Sequence, residues 1–401
     1  MPRLNRDRTT LLIYAQLAVW GYFLYGFGPA VPLLRDEQGV SAALAGLHGT
    51  GLAVGIVIGG LLFTYLARRI GRGPTIWVGM GGVIFVVGLL WVARPLPLTI
   101  LAAVVASTCG SLIVNGVNVV LSDHHGPAAP AAISEANAAA ALTGLLAPLV
   151  VGGSVALGLG WRPALTVVIA LVAAVALAAY AWGIRVPRRP AAEEPMPRAE
   201  RPKLPRPYWI AWTLMAACAS IEVCLSLWAV DVLRTHAGLS SGAAAAAISG
   251  ILVGMFLGRL LGGRFALRVP PVRLLLVALA VSFAGFALFW TSTAGWLAVA
   301  GLFIAGLGNS VHYPLAISMA LGAASGQEDR AAGYSSYAIA VGFGVAPFAL
   351  GWIADQVGPH RAFLILPGFI LAAVALTVWL GRATRAAATV AAVPVSADGR
   401  A

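Results

Sequence analysis

Glu222 is the residue whose placement points most directly to chemistry. It lies about 14 residues into the apolar run 208–232, or roughly 21 Å along a helix. An ionised acid at such depth in hydrocarbon costs about 2.5–3.5 kcal/mol. The functional reading is therefore a proton carrier, neutral when its surroundings are dry and ionised when water reaches it. The plainer reading is a structural acid bonded to a neighbouring segment. Ser226 follows one turn later on the same face.

Other polar residues cluster by helical spacing. Thr108, Ser111, Asn115, Asn118 and Ser122 are separated by steps of 3, 4, 3 and 4, so they share one helical face. Asn309 and His312 share another, with Tyr313 beside them, and Gln16, Tyr22 and Tyr25 occupy the first apolar run. Asn115, Asn118, Asn309, His312, Tyr313, Tyr25 and Ser226 are the candidate solute contacts; interhelical hydrogen bonding is the competing use of the amides and the histidine. Tyr22, Tyr25 and Trp20 offer a flat stacking surface or ordinary packing. Arg259 is the one basic residue clearly inside an apolar run. It is offset from Glu222 by about 9 Å along the helix axes, so snorkelling to the nearer surface is preferred over neutralising Glu222.

No catalytic set is visible. His124 and His125 are adjacent rather than one turn apart, which is poor spacing for a metal. There is no phosphate-binding loop of the Walker type and no supported Ser/His/Asp arrangement. No enzyme activity, metal or cofactor is expected.

The elements that position these residues follow from composition. Of 401 residues, 60% are hydrophobic and only 10% are charged, against roughly 25% charged in ordinary soluble domains. The net charge of +12 does not indicate nucleic acid, because the arginines sit in short loops between apolar runs and form no basic face. Cys109, Cys218 and Cys224 lie inside apolar runs and read as small packing residues rather than a disulfide framework.

A bilayer core of about 30 Å needs roughly 20 apolar residues in a helix. Twelve runs qualify: 11–34, 44–67, 75–94, 98–121, 135–158, 163–184, 208–232, 243–267, 272–293, 296–322, 331–355 and 361–381. The first follows Arg3, Arg6 and Arg8 but is too long for a signal-peptide core, so it reads as a retained span. With the N-terminus inside, the inner segments hold 20 Lys and Arg and the outer loops 5. That bias places both termini in the cytoplasm. Residues 185–207 carry seven prolines and ten charges, a composition expected of a solvated linker. The chain thus divides into bundles at 1–184 and 208–381, with a tail at 382–401 expected to be disordered.

The two bundles repeat. A shift of 199 residues places Arg35, Gly39 and Ser41 on Arg234, Gly238 and Ser240; Gly55 and Gly59 on Gly254 and Gly258; Arg69 on Arg268; Ala147, Pro148 and Gly152 on Ala346, Pro347 and Gly351; and Arg162 on Arg361. Six helices separate the copies, so both run the same way, as in a parallel repeat about an axis along the membrane normal.

These features resemble the major facilitator superfamily over nearly the whole length. The segment from Thr64 to Arg72 resembles that family's G-x-x-x-D-R-x-G-R loop, with Thr64 in place of the glycine and Arg68 in place of the aspartate. The second copy, Gly263 to Pro271, keeps the glycine and Arg268 and has Leu267 at the acidic position. Ala147-Pro148 with Gly152-Gly153 is similar to a Gly-Pro/Gly-Gly signature associated with exporters. The resemblance implies an all-α fold of twelve spans in two pseudo-symmetric six-helix bundles, with spans one, four, seven and ten lining a central cavity. Those are the spans that carry the polar residues above.

The function expected is secondary active transport of a small organic solute by alternating access, coupled to protons at Glu222, in the cytoplasmic (inner) membrane. Export of an organic compound is preferred over proton-coupled uptake of a sugar-like or other neutral polar solute. A non-transporting sensor is the remote alternative. Arg68, Arg69, Arg72, Arg268, Asp123 and Glu135 are expected at a cytoplasmic gate, the acids pairing with the loop arginines. Expected partners are the solute, protons and lipid, the chain acting as a monomer.

Overall fold

The computed structural model describes residues 5–125, 129–184, 203–266, 269–324 and 328–391, and these are helical with no strand among them. The first half comprises α1 (Arg8–Gln38), α2 (Ala42–Ile70), α3 (Arg72–Val92), α4 (Leu96–His125), α5 (Ala129–Ala156) and α6 (Arg162–Ala181). The second half comprises α7 (Arg206–Thr235), α8 (Ser241–Ala247), α9 (Ser249–Ala266), α10 (Pro271–Thr291), α11 (Gly295–Asn309), α12 (His312–Gly322), α13 (Glu328–Val357), α14 (Pro359–Ala362) and α15 (Ile365–Ala391). Together they make twelve segments long and apolar enough to cross a membrane, matching the twelve predicted runs one for one. Arg268, and most of the segment between 185 and 207, lie outside the described residues.

Three predicted spans are interrupted. The run 296–322 breaks between α11 and α12 at Ser310 and Val311. Pro314 is the cause: it lacks the N–H that would bond residue 310, and its ring crowds that carbonyl. Pro367 acts in the same way between α14 and α15. Between α8 and α9 the helix tightens at Ile248, whose N–H bonds the Ala245 carbonyl at 3.4 Å. α15 also runs on to Ala391, ten residues beyond its predicted end, so the start of the tail expected to be disordered is helical.

The repeat read from sequence is reproduced in local geometry. Gly39 and Gly238 both adopt left-handed backbone, at φ 62° and 67°, a conformation that favours glycine. Ser41 and Ser240 then cap α2 and α8, each hydroxyl accepting a backbone N–H at 3.3 Å. Gly55 packs on the Val104 carbonyl of α4, and Gly254 on the Phe303 carbonyl of α11; a Cβ at either would collide with it. Residues 104 and 303 are themselves 199 apart, so the contact is repeated as well as the glycine.

The halves meet through α2 on α13, α5 on α8 and α9, and α1 on α7. These contacts gather at the end of the molecule away from the termini, here called the distal end. A Cβ on Gly46 of α2 would stand 2.7 Å from the Pro347 carbonyl oxygen of α13, and one on Gly152 of α5 would stand 2.5 Å from the Gly242 carbonyl oxygen of α8. Gly351 of α13 likewise abuts the Ala42 carbonyl of α2. Toward the termini the same stripes separate. On α2, Gly46, Gly49 and Ala53 are buried, whereas Gly60 is exposed and a Cβ there would meet nothing within 4 Å; on α13, Pro347 and Gly351 are buried, whereas Tyr337 is 41% exposed. The halves are therefore sealed distally and parted on the terminal side.

Candidate functional site

Beneath the distal seal lies a cleft between the halves. Its floor is the crossing of α1 and α7. Gly28 permits that approach, since a Cβ there would already be 3.2 Å from the Ser226 carbonyl oxygen. Leu24, Tyr25 and Pro29 of α1, Leu52 of α2, Ile248 between α8 and α9, and Phe343 of α13 form walls that are almost wholly apolar. Glu222 and Ser226 enter from α7. Glu222 is half-buried.

The pseudo-symmetry explains why space opens beside α7. In α1, Trp20, Phe23 and Phe27 form a stacked aromatic ladder, with ring centroids 5.7 and 5.9 Å apart. The positions 199 residues later are Ala219, Glu222 and Ser226. Smaller and polar side chains thus replace the filling rings.

Two further groups act on Glu222. Arg259 of α9 is exposed, and its guanidinium interacts with both the Tyr25 phenol and the Glu222 carboxyl. Tyr313, 39% exposed at the start of α12, also lies within electrostatic range of Glu222. Snorkelling to the terminal surface, the role preferred for Arg259 from sequence, does not describe this side chain. The physical reason is the tilt of Cα–Cβ bonds toward a helix N-terminus. α9 runs from the distal end toward the termini, so Arg259 leans back toward the depth of Glu222. α7 runs oppositely, so Glu222 leans toward Arg259. The axial offset counted from sequence is taken up by both side chains.

The remaining candidates divide. Tyr25 joins the cleft, its ring packed over Gly144 of α5. Tyr22 turns the other way and donates to the Ala164 carbonyl of α6 at 3.0 Å. His312 is 1% exposed and faces α10, its Nε2 3.2 Å from Ser282 Oγ. Asn309 is 2% exposed with neither amide atom paired, and Gln16 of α1 is buried in the same condition. On α4, Asn115 and Asn118 are half-buried and lie outside the cleft wall described above. The distal part of their polar stripe serves α2: Ser111 Oγ donates to the Ile56 carbonyl at 3.4 Å, and Thr108 Oγ1 bonds its own helix at Val104.

The terminal-side charges pair within the first half. Asp123 bonds Arg72, as expected, but both belong to one bundle. Glu135 takes Arg6 rather than a loop arginine, at 2.6 Å, and also accepts from Tyr14 at 3.3 Å. Arg69 lies over the Tyr65 ring at 4.7 Å, and Arg68 is exposed. His124 and His125 engage Asp7 and Thr10, each at 2.8 Å.

Sequence reasoning missed the distal contacts. Arg35 of α1 pairs with Asp231 of α7 across the halves, and Arg234 reaches Asp36 at 2.6 Å. Asp355 of α13 caps the first turn of α2, accepting the N–H groups of Ala42 at 2.6 Å and Ala43 at 2.8 Å. The signal for the ion pairs was present, since Arg35 and Arg234 occupy matching positions of the repeat.

The sequence model of the Major Facilitator Superfamily matches residues 13–295 and 222–395. No curated protein matches the chain. Among solved structures it resembles a bacterial homologue of the human lysosomal transporter Spinster in an inward-facing, unoccupied conformation. Identity there is 16%, over 95% of this chain and 96% of that one, with a TM-score of 0.65. The nucleoside transporter NupG shares 13% identity over 93% and 98% of the two chains, at a TM-score of 0.72. The E. coli fucose:proton symporter FucP shares 16% over 93% and 98%, at 0.61. At such identities the likeness speaks to fold. With twelve spans, two matching bundles and a cleft where they meet, this chain belongs to the Major Facilitator Superfamily and is a multi-pass membrane transporter rather than an enzyme.

Proposed function

We propose that the chain exports a small, largely apolar organic compound across the cytoplasmic membrane by alternating access, coupled to protons at Glu222. The observation that carries this reading is one carboxyl entering a cleft whose walls are otherwise almost wholly apolar. A carboxyl placed there can take up a proton when its charge would otherwise stand uncompensated in a dry cleft and release it when water enters. The arginine bias puts both termini in the cytoplasm; the sealed distal end then faces outward and the parted end faces in. In this reading the chain acts as a monomer, its two halves facing each other across the cleft.

The test uses purified protein in sealed vesicles loaded with a pH-sensitive dye, to which small organic solutes are added with and without an imposed pH gradient. Solute-dependent proton movement is expected. Glu222→Gln should abolish accumulation driven by the gradient while sparing solute exchange at equal pH. Full coupling to the gradient in that variant would overturn the assignment.

A further inference from the structure

Within that proposed site, we infer that the transported compound is an organic anion, with Arg259 holding its acid group while Glu222 carries the accompanying proton. Arg259 is exposed, and it interacts with Tyr25 of the first half as well as with Glu222 of its own half. It acts on Glu222 electrostatically, yet no ion pair within 4.0 Å joins them. A guanidinium that meets the Tyr25 phenol of the cleft wall but has no carboxylate within ion-pair distance among the described residues is a ready partner for a planar carboxylate, which it binds by two parallel charge-assisted hydrogen bonds. The Tyr25 phenol, in contact with both the cleft and Arg259, supplies a further polar group at the same place. Leu52, Ile248 and Phe343 would take the apolar body of the compound.

Charge balance then fixes the coupling. In the empty cleft, ionised Glu222 and Arg259 sum to zero. With the anion on Arg259 and a proton from water on Glu222, the sum is again zero. Anion alone or proton alone leaves one uncompensated charge in a low-dielectric interior, and such states resist occlusion. Proton and anion therefore move together, one for one, with no net charge crossing. Export follows where the cell holds the acid in excess.

The probe set is phenylpropionate, phenylpropanol and phenylpropylamine, which share one apolar body and differ in charge. On purified protein, phenylpropionate alone should raise the unfolding temperature, and its binding should draw about one proton per chain from weakly buffered solution. Arg259→Gln should weaken phenylpropionate binding roughly tenfold or more. Arg259→Lys should retain part of it, and Glu222→Gln should keep the shift without the proton uptake. A shift with the alcohol or the amine equal to that with the acid, no shift with any of the three, or unchanged binding in Arg259→Gln would overturn the inference. The wild-type series decides the compound class even if a variant fails to fold. Anion binding without pH-driven flux would count against the coupled-transport reading alone. Proton-coupled flux of a neutral solute would count against the anion alone.

Discussion

Thr50 of α2 donates its hydroxyl to the Gly344 carbonyl of α13 at 2.7 Å, bridging the two halves. The repeat makes the same bond a second time: Ser249 of α9 donates to the Leu145 carbonyl of α5 at 2.9 Å. Donors and acceptors are each 199 residues apart. Pro347 and Pro148 stand three residues beyond the two carbonyls. Proline disturbs helical hydrogen bonding nearby, and serine or threonine from a neighbouring helix commonly compensates. Removing either hydroxyl should weaken the distal seal by about 1 kcal/mol, a roughly fivefold shift toward distal opening. Thr50→Val and Ser249→Ala should act alike, and together roughly additively. Spin-label distances across the distal ends of α2 and α13 and of α5 and α8 measure the shift. Unequal effects would show that the two interfaces do not share the load.

The Arg35–Asp231 pair makes a larger contribution. Asp231 is 1% exposed and takes both guanidinium ends, the second at 3.1 Å. Removing one partner of a buried pair costs about 3–5 kcal/mol. Asp36 remains beside Arg35 at 2.8 Å and limits the loss. Asp231→Asn should therefore shift the closed-to-open ratio at the distal end by about 2 kcal/mol, or roughly thirtyfold. A cysteine placed at Ser226 would react faster with a reagent supplied from the distal side. An unchanged rate would remove this pair from the seal.

Glycines at the same interface act by allowing contact, so enlarging them should have the opposite signature. Gly351→Val pushes against the Ala42 backbone, and Gly152→Val against the Gly242 carbonyl. Both partners are main chain and have little room to yield. Each variant should fold, since each half keeps its own packing, yet hold the distal end apart. The expected outcome is loss of flux with the unfolding temperature reduced only modestly. A fully active valine variant would mean that the halves do not need this approach.

Much of the fold was legible in the sequence because hydrocarbon imposes long apolar runs and because the repeat preserves glycines with a steric duty. Gly39 and Gly238 match since both turns need left-handed backbone; Gly55 and Gly254 match since both lie on a neighbouring carbonyl. Glu222, Ser226 and Tyr25, singled out by depth and spacing, do line the cleft. Arg259 was misplaced because counting residues gives axial depth and ignores the lean of a side chain. The α4 stripe of Asn115 and Asn118 shares its face with Ser111, and spacing alone does not separate a residue that serves α2 from one that faces a solute. Glu135 found Arg6 rather than a loop arginine because α5 packs on α1, a neighbour relation invisible to a one-dimensional reading.

The start of α1 offers a test with a pH signature. Asp7 caps this helix, accepting the Thr10 N–H at 2.8 Å and the Thr10 hydroxyl at 2.6 Å while facing His124. Burial pushes its carboxyl up, but the bonds from Thr10 and His124 outweigh that and hold it below the ordinary carboxylate range. A group depressed on folding stabilises fully above its unfolded value, near about 3.9 for aspartate, and loses that contribution as pH falls through the folded value. Asp7→Ala should cost about 0.5–2 kcal/mol at neutral pH. Its deficit should vanish in acid, where wild type also loses the carboxylate. Asp7→Asn keeps a capping oxygen and should show a smaller, pH-independent deficit. Hydrogen exchange of the first-turn amides of α1 reads these differences locally. A deficit in Asp7→Ala that persists well below the aspartate range would mean that the carboxylate charge is not what holds this turn.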